Sequence, residues 1–261
     1  MNRSSCIMPR MSVHKQKIID RFGRYVKTYS AVATVQQNAA DVLARALQLL
    51  SPRSILEIGC GTGLLSRHLV RQFPHAFCLL TDMSWPMLEE CRSFLSLPHH
   101  ANVHFACMDG EHLSVESSFD LIVSSMTLHW FSDFYASFSD IIKKLTPGGQ
   151  FIFSLLGDNS FSEWHAICQS ENIPIATPVF PSVESIRMHF PFLDIQVEHY
   201  QEVYPSVYAF LNVLRQLGAT SARLNYIPLG AGALRQLLRR FDKEITISYE
   251  VIQGCYIKPL A

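Results

Sequence analysis

The hydrophobic positions of this chain change period as it is read, and each change predicts an element. Val13, Ile18, Ile19, Phe22, Tyr25, Val26 and Tyr29 recur mostly at helical spacing among lysines and arginines, so an amphipathic helix is expected over 13–29. A second helix is expected over 32–50, ended by Ser51-Pro52 because proline disfavours helical backbone in the residue before it. The period then shortens. Ile55, Leu56 and Ile58 form a compact apolar run with Glu57 inside it, followed by Gly59, Gly61 and Gly63 and an amphipathic stretch to Leu69. That succession reads as strand, tight glycine turn and helix. Further strands are expected over 76–81, 102–106, 119–124 and 150–156. They alternate with helices over 86–94, capped by Ser84, and 134–145, stopped by Pro147-Gly148-Gly149. Strands alternating with helices require a parallel sheet covered on both faces, an α/β fold.

The ends of the chain read differently. Residues 1–12 show no hydrophobic period and are expected to form a disordered leader, with Met8 and Met11 as possible alternative starts. Residues 158–192, rich in Pro, Phe and Ser, read as a cap made of one helix over 162–169 plus loops. A strand over 195–204, helices over 207–218 and 233–241, and a closing strand over 245–257 complete a single domain over 13–261.

A glycine turn between strand and helix lets the backbone take positive φ and lets a ligand approach the main chain, under the positive end of the helix dipole. Two phosphate-binding patterns are disfavoured. Leu64 stands where a dinucleotide fingerprint requires glycine, and no Gly-Lys-Ser/Thr ending is present. Ligands of such sheets lie beyond the carboxyl ends of the strands, which directs attention to Asp82 and Met83, to Asp109 and Gly110, and to Ser124 and Ser125. Asp82 is placed to accept from a ribose diol, or to cap the next helix together with Ser84; Asp109-Gly110 is also an ordinary turn dipeptide.

Charge and cysteine usage narrow the class. Lysine plus arginine and aspartate plus glutamate both number 22, so no global field draws the chain to nucleic acid or an anionic membrane. Seven scattered cysteines without C-x-x-C spacing suit reduced thiols in a cytoplasmic protein, with no metal knuckle expected. His99, His100 and His104 read as solvated surface, and His129-Trp130-Phe131 as an aromatic cluster that is core or pocket lining.

The stretch SILEIGCGTGLL over 54–65 resembles the first motif of class I S-adenosylmethionine-dependent methyltransferases. The resemblance implies a Rossmann-like seven-stranded, mostly parallel sheet with an antiparallel edge strand, and S-adenosyl-L-methionine as cofactor. It places the methionine end of the cofactor on Gly59, Gly61 and Gly63 and its amino group on Glu57. Asp82 would meet the ribose, Met83 the adenine face, Asp109 with Gly110 the adenine amino group, and Ser124 and Ser125 the edge of the transfer site.

Three longer segments, HKQKIIDRFGRYVKTYSAVATVQQNAADVL, LHWFSDF and FLNVLRQLGATSARLNY, are similar to the malonyl-acyl-carrier-protein O-methyltransferases of biotin synthesis. The chain departs from that pattern at Arg24-Tyr25-Val26, at His129 where glutamine is commoner, and in a short loop around 230–232. The resemblance implies methylation of the free carboxyl of a malonyl thioester carried by acyl carrier protein or coenzyme A. Tyr29 and Arg215 would be active-site residues, Arg215 reading the carboxylate, with Phe180 as an aromatic wall. An acidic carrier would dock on Arg235, Arg239, Arg240 and Lys243, and a monomer is favoured. A methyltransferase for another small acceptor, such as a quinone precursor or a fatty acid, and a non-catalytic cofactor-binding module stand as alternatives.

Overall fold

The computed structural model describes residues 12–98, 101–219, 223, 227 and 229–260. Residues 1–11 of the leader expected over 1–12, His99 and His100, and most of the 220–226 stretch of the LRQLGATSARLNY segment lie outside the described residues.

Helix α1 (Val13–Val32) opens on Ser12, whose side chain accepts from the Lys15 amide, and α2 (Thr34–Ala46) follows after Ala33 alone. The first helix therefore runs three residues beyond its expected end, and the second stops before Leu47. Five strands follow, with helices between all but β3 and β4: β1 (Ser54–Ile58), α3 (Ser66–Gln72), β2 (Phe77–Asp82), α4 (Trp85–Leu95), β3 (Val103–Cys107), β4 (Phe119–Ser125), α5 (Phe134–Lys143) and β5 (Leu145–Leu156). Pro147-Gly148-Gly149 falls inside β5 and does not end α5. A Cβ on Gly149 would come within 3.0 Å of the Phe119 carbonyl, so glycine there permits strand approach. The segment expected as a cap contains α6 (Ser162–Ser170) and a further short helix, α7 (Val183–His189), which its Pro- and Phe-rich composition concealed. Next come β6 (Asp194–Tyr204), α8 (Val207–Gln216), α9 (Ala231–Arg240) and β7 (Ile245–Ile257).

Among the described residues the strands form one seven-stranded sheet in the order β3-β2-β1-β4-β5-β7-β6. β1 pairs in parallel with β2 and β4, β2 with β3, and β4 with β5, while β7 runs antiparallel to both β5 and β6. Strand periodicity partitions the core. Ile55 packs on one face with α2, α3 and α4, through Leu43, Leu69 and Leu88. Leu56 and Ile58 pack on the other, with Phe138 and Ile141 of α5 and Ile186 of α7. A third cluster joins Phe210 of α8, Trp164 of α6 and Leu237 of α9 to β7.

The two amino-terminal helices do more than flank this sheet. α1 packs against α4 and α8, and both approaches exploit a missing side chain: a Cβ on Gly23 would lie 3.2 Å from Pro86, and one on Gly218 would lie 3.1 Å from the Phe22 amide. It thereby crosses above the carboxyl ends of the central strands.

Candidate active site

The order 3-2-1-4-5 places the ends of β1, β2 and β4 side by side, and there the glycine turn opens a cavity of about 110 Å³. Its floor is Glu57, Gly59, Gly61, Asp82 and Ser125, and its roof is Ile18, Ile19, Phe22 and Tyr29 of α1. Gly59 and Gly61 have φ of 73° and 54°. The turn is tied to β2 by the Gly59 and Cys60 amides, which donate to the Thr81 carbonyl at 2.8 Å.

Three carboxylates line this space; Glu111 is paired with Lys15, whereas Glu57 and Asp82 have no described cation beside them. Glu57 is buried, sharing the β1 face of Ile55, and accepts from Ser66 Oγ at 2.6 Å. Asp82 accepts from the Gly61 amide at 2.9 Å and the Ser84 amide at 2.7 Å, so it both braces the glycine turn and helps start α4. Burial raises the Glu57 carboxyl to about 8, with the neighbouring Asp82 charge adding to the Ser66-opposed shift. Burial also raises Asp82 to about 6 against its two amide bonds. No described cation lines the cavity. Two under-compensated carboxylates favour a ligand that brings positive charge and donors and disfavour one that brings a pyrophosphate, which fits the ammonium, sulfonium and ribose hydroxyls of S-adenosylmethionine.

The expected site residues are not all gathered here. Glu57, Gly59, Gly61, Asp82, Met83, Gly110, Ser125 and Tyr29 line the cavity. Gly63 lies behind it, where a Cβ would meet Cys91 Sγ at 3.0 Å, and so sets how closely α4 packs. Ser124 is fully buried and donates to the Ile58 carbonyl at 2.9 Å, stitching β4 to β1. Asp109 turns aside: it accepts from Lys15 Nζ at 2.6 Å and from the Glu111 amide at 3.0 Å. Lys15 also bridges to Glu111, whose other oxygen accepts from the Asp133 amide. This buried triad clamps the start of α1 over the cavity.

A second, smaller chamber of about 40 Å³ shares Phe22, Tyr29, Gln36, Met126 and Trp130 with the first cavity. His129, Thr177, Phe180 and Tyr249 line its far side. Trp130 stands edge-on to Phe22 at 5.2 Å, and His129 edge-on to Phe180 at 5.6 Å. His129 Nδ1 accepts from the Leu156 amide at 3.4 Å, and burial lowers the imidazole to about 3, so the ring is neutral with its remaining proton on Nε2. Burial, with the nearby Asp82 charge, pushes the Tyr29 phenol up, so it is a hydrogen-bond donor at every working pH. Arg215 lies outside both spaces. It is exposed on α8 and donates to Asn212 Oδ1 at 2.7 Å, so the structure does not bring it to the acceptor chamber. His104 stacks on Phe77 at 5.0 Å, away from the site.

Sequence reading did not single out Gln36, Thr127, Glu111 or Lys15. Gln36 carries a weak signal, a polar residue flanking the buried stripe of Val35, Ala39 and Leu43. The Lys15 triad carries none, because its partners lie more than ninety residues away.

Residues 55–149 match the family model described as a methyltransferase domain. The chain is 38% identical over 247 residues to a malonyl-[acyl-carrier protein] O-methyltransferase of Magnetococcus marinus, covering 91% of this chain and 90% of that protein. It is 30% identical to the protein of that name from Priestia megaterium, covering 88% and 90%. It is also 36% identical to the biotin biosynthesis bifunctional protein BioCD of Bordetella avium, of which it spans 53% and which covers 94% of this chain. Among solved structures, a putative methyltransferase from Bacillus halodurans superposes with a TM-score of 0.62 at 12% identity, covering 85% of this chain and 99% of the other. Phosphoethanolamine N-methyltransferase 2 of Haemonchus contortus, in complex with S-adenosyl-L-methionine, gives 0.54 at 19% identity, covering 85% and 52%. These two likenesses speak to fold alone. The match to relatives along nearly the whole sequence, laid over a sheet with a methyltransferase-type glycine turn and carboxylate pair, decides the family: this chain is a member of the malonyl-[acyl-carrier protein] O-methyltransferases.

Proposed function

We propose that the chain methylates the free carboxylate of a malonyl thioester, drawing the methyl group from S-adenosylmethionine in a step of biotin synthesis. The observation that carries this reading is the paired construction of the site. A cavity with two acidic side chains that lack a described cation, Glu57 and Asp82, adjoins a small chamber whose described polar residues are all neutral, and Tyr29 and Gln36 line both.

The small size of the chamber supports a small acceptor head. The chamber, about 40 Å³ and lined by aromatic and neutral side chains, can receive a small head such as a carboxymethyl group. Its electrostatics select the chemistry. Bound S-adenosylmethionine supplies a sulfonium methyl, whose transfer to a carboxylate oxygen turns a cation and an anion into two neutral products. A malonyl carboxylate is ionised at neutral pH and needs no general base; it needs orientation and the removal of water. Tyr29 and Gln36 can orient it with neutral donors, while Trp130, Phe22 and the buried Phe180 exclude solvent. A fixed cation beside the nucleophile would instead hold the charge that the reaction removes, stabilising the ground state more than the transition state. An exposed Arg215 outside the chamber agrees with that requirement.

A labelled-methyl assay tests this reading. Malonyl thioesters of acyl carrier protein and coenzyme A should accept label, whereas a butyryl thioester of the same carrier, which lacks the carboxylate, should not. Tyr29→Phe should lower kcat/KM by about 10- to 100-fold, the worth of one hydrogen bond to a charged group. Equal labelling of malonyl and butyryl thioesters would refute the assignment.

A further inference from the structure

A thioester whose head reaches the acceptor chamber needs a course for the rest of its chain. The chamber's wall of Thr177, Leu214 and Ala219 is shared with a third space, a groove of about 320 Å³ bounded by α6, α8, α9 and the loop before α7. Apart from Arg215 and a few other polar side chains, its walls are apolar, including Ile173, Leu211, Leu229, Leu234 and Leu238. An apolar trough of this size, set against the reaction chamber across that shared wall, suits a flexible ligand. Charge gathers beside it. α9 turns Leu234 and Leu238 into the groove and leaves Arg235 and Arg239 exposed, with no acidic residue in the helix, while Arg240 donates to Glu171 Oε2 at 2.8 Å. On α8, Arg215 reaches the groove with a single described partner, Asn212, which leaves most of its five N–H donors available.

We infer that this groove binds the phosphopantetheine arm of the acceptor thioester, with Arg215 reading the arm's phosphate and the exposed α9 arginines flanking its point of entry. The inference rests on the thioester reading above and assigns it a second subsite. Carrier protein and coenzyme A both present their acyl group on such an arm: an apolar, amide-bearing chain ending in an anionic phosphate. The groove supplies a complementary order, an inner wall shared with the chamber, apolar sides, and guanidinium groups beside them. Arg215 thus reads the arm that both carriers share and leaves the carboxylate to the neutral donors of the chamber.

The experiment compares malonyl-coenzyme A with malonyl-N-acetylcysteamine, a short thioester without phosphate, in the wild type, Arg215→Ala and Leu211→Trp. Arg215→Ala, a change at an exposed position, should raise KM for malonyl-coenzyme A by about tenfold or more, the loss of a charge-assisted hydrogen bond, and leave kcat/KM for the short thioester within about twofold. Leu211→Trp, which fills the groove, should show the same split, with S-adenosylhomocysteine affinity by calorimetry reporting that the fold is intact. A loss in Arg215→Ala that is equal on both substrates would mean that Arg215 reads the carboxylate they share, and would overturn the inference. So would unchanged kinetics on both. If the wild type methylates neither malonyl thioester, the acceptor reading itself has failed, an outcome distinct from either of these.

Discussion

Alanine at Gly59 and at Gly61 should separate the two demands placed on one turn. Both residues have positive φ, so a Cβ at either costs about 1–2 kcal/mol in backbone strain. At Gly59 the new methyl would also lie 2.2 Å from Thr127 Oγ1, 2.3 Å from Cγ2 and 2.7 Å from Cβ. Thr127 cannot yield freely, since its hydroxyl is held to the carbonyls of Gly59 at 3.2 Å and Ser125 at 3.1 Å. Adding about 1–3 kcal/mol for overpacking gives a loss of about 2–5 kcal/mol for Gly59→Ala, a large share of a domain's roughly 5–15 kcal/mol. At Gly61 no atom lies within 4 Å of the built Cβ, so the stability loss should stop at about 1–2 kcal/mol. That open space belongs to the cofactor cavity, however, so Gly61→Ala should weaken S-adenosylhomocysteine binding by about tenfold or more, equivalent to about 1.4 kcal/mol. Urea unfolding at unchanged m-value reads the first quantity and calorimetric titration the second. Thr127→Ala removes the two nearest atoms and should restore part of the stability of Gly59→Ala, a non-additive recovery of at least about 0.5 kcal/mol. Equal stability losses at the two glycines, or full cofactor affinity in Gly61→Ala, would refute this account of the turn.

Other outcomes follow from the buried charges. Glu57 holds its proton to about pH 8 when folded and releases it near its ordinary 4.5 when unfolded. The native state therefore binds more protons across that window, and ligand-free stability should fall as pH rises from about 5 to 8. Asp82, raised to about 6, steepens the acid part of this fall, and Asp82→Asn should flatten it. Stabilisation by cofactor should grow over the same range as the carboxylates ionise; melting curves with and without S-adenosylhomocysteine check this, and a flat ligand-free profile would contradict it. Lys15→Met strands Asp109 and Glu111 without their cation and should destabilise by about 3–5 kcal/mol in denaturant unfolding, with Asp109→Asn recovering part of the loss. A neutral effect would show that the clamp on α1 is not formed in solution.

Much of this protein is written in short-range pattern. The β1 run, its glycines and the stretch behind them announce a strand, a turn and a helix, because apolar period and permitted φ are local properties. The alternation of Ile55 and Glu57 with Leu56 and Ile58 fixes which side chains share a face of β1 as soon as the strand forms. Asp82 and Gly110 could be placed near a ligand because strand ends in a parallel sheet converge whatever their sequence spacing. Local pattern stops at the question of which neighbour a face meets. The charge that turns Asp109 aside comes from Lys15, 94 residues away, and α1 becomes a roof only because α4 and α8 give it two close contacts at Gly23 and Gly218. The resemblance of its segment marked Arg215 as an active-site residue, but its side chain lines a groove built jointly by α6, α8 and α9, and only their packing sets it outside the chamber. The elements and the cofactor turn are thus determined by the sequence, since periodicity and backbone sterics act over a few residues. The acceptor chamber and its approach are decided by tertiary structure, because their walls come from helices distant along the chain whose mutual packing no local period encodes.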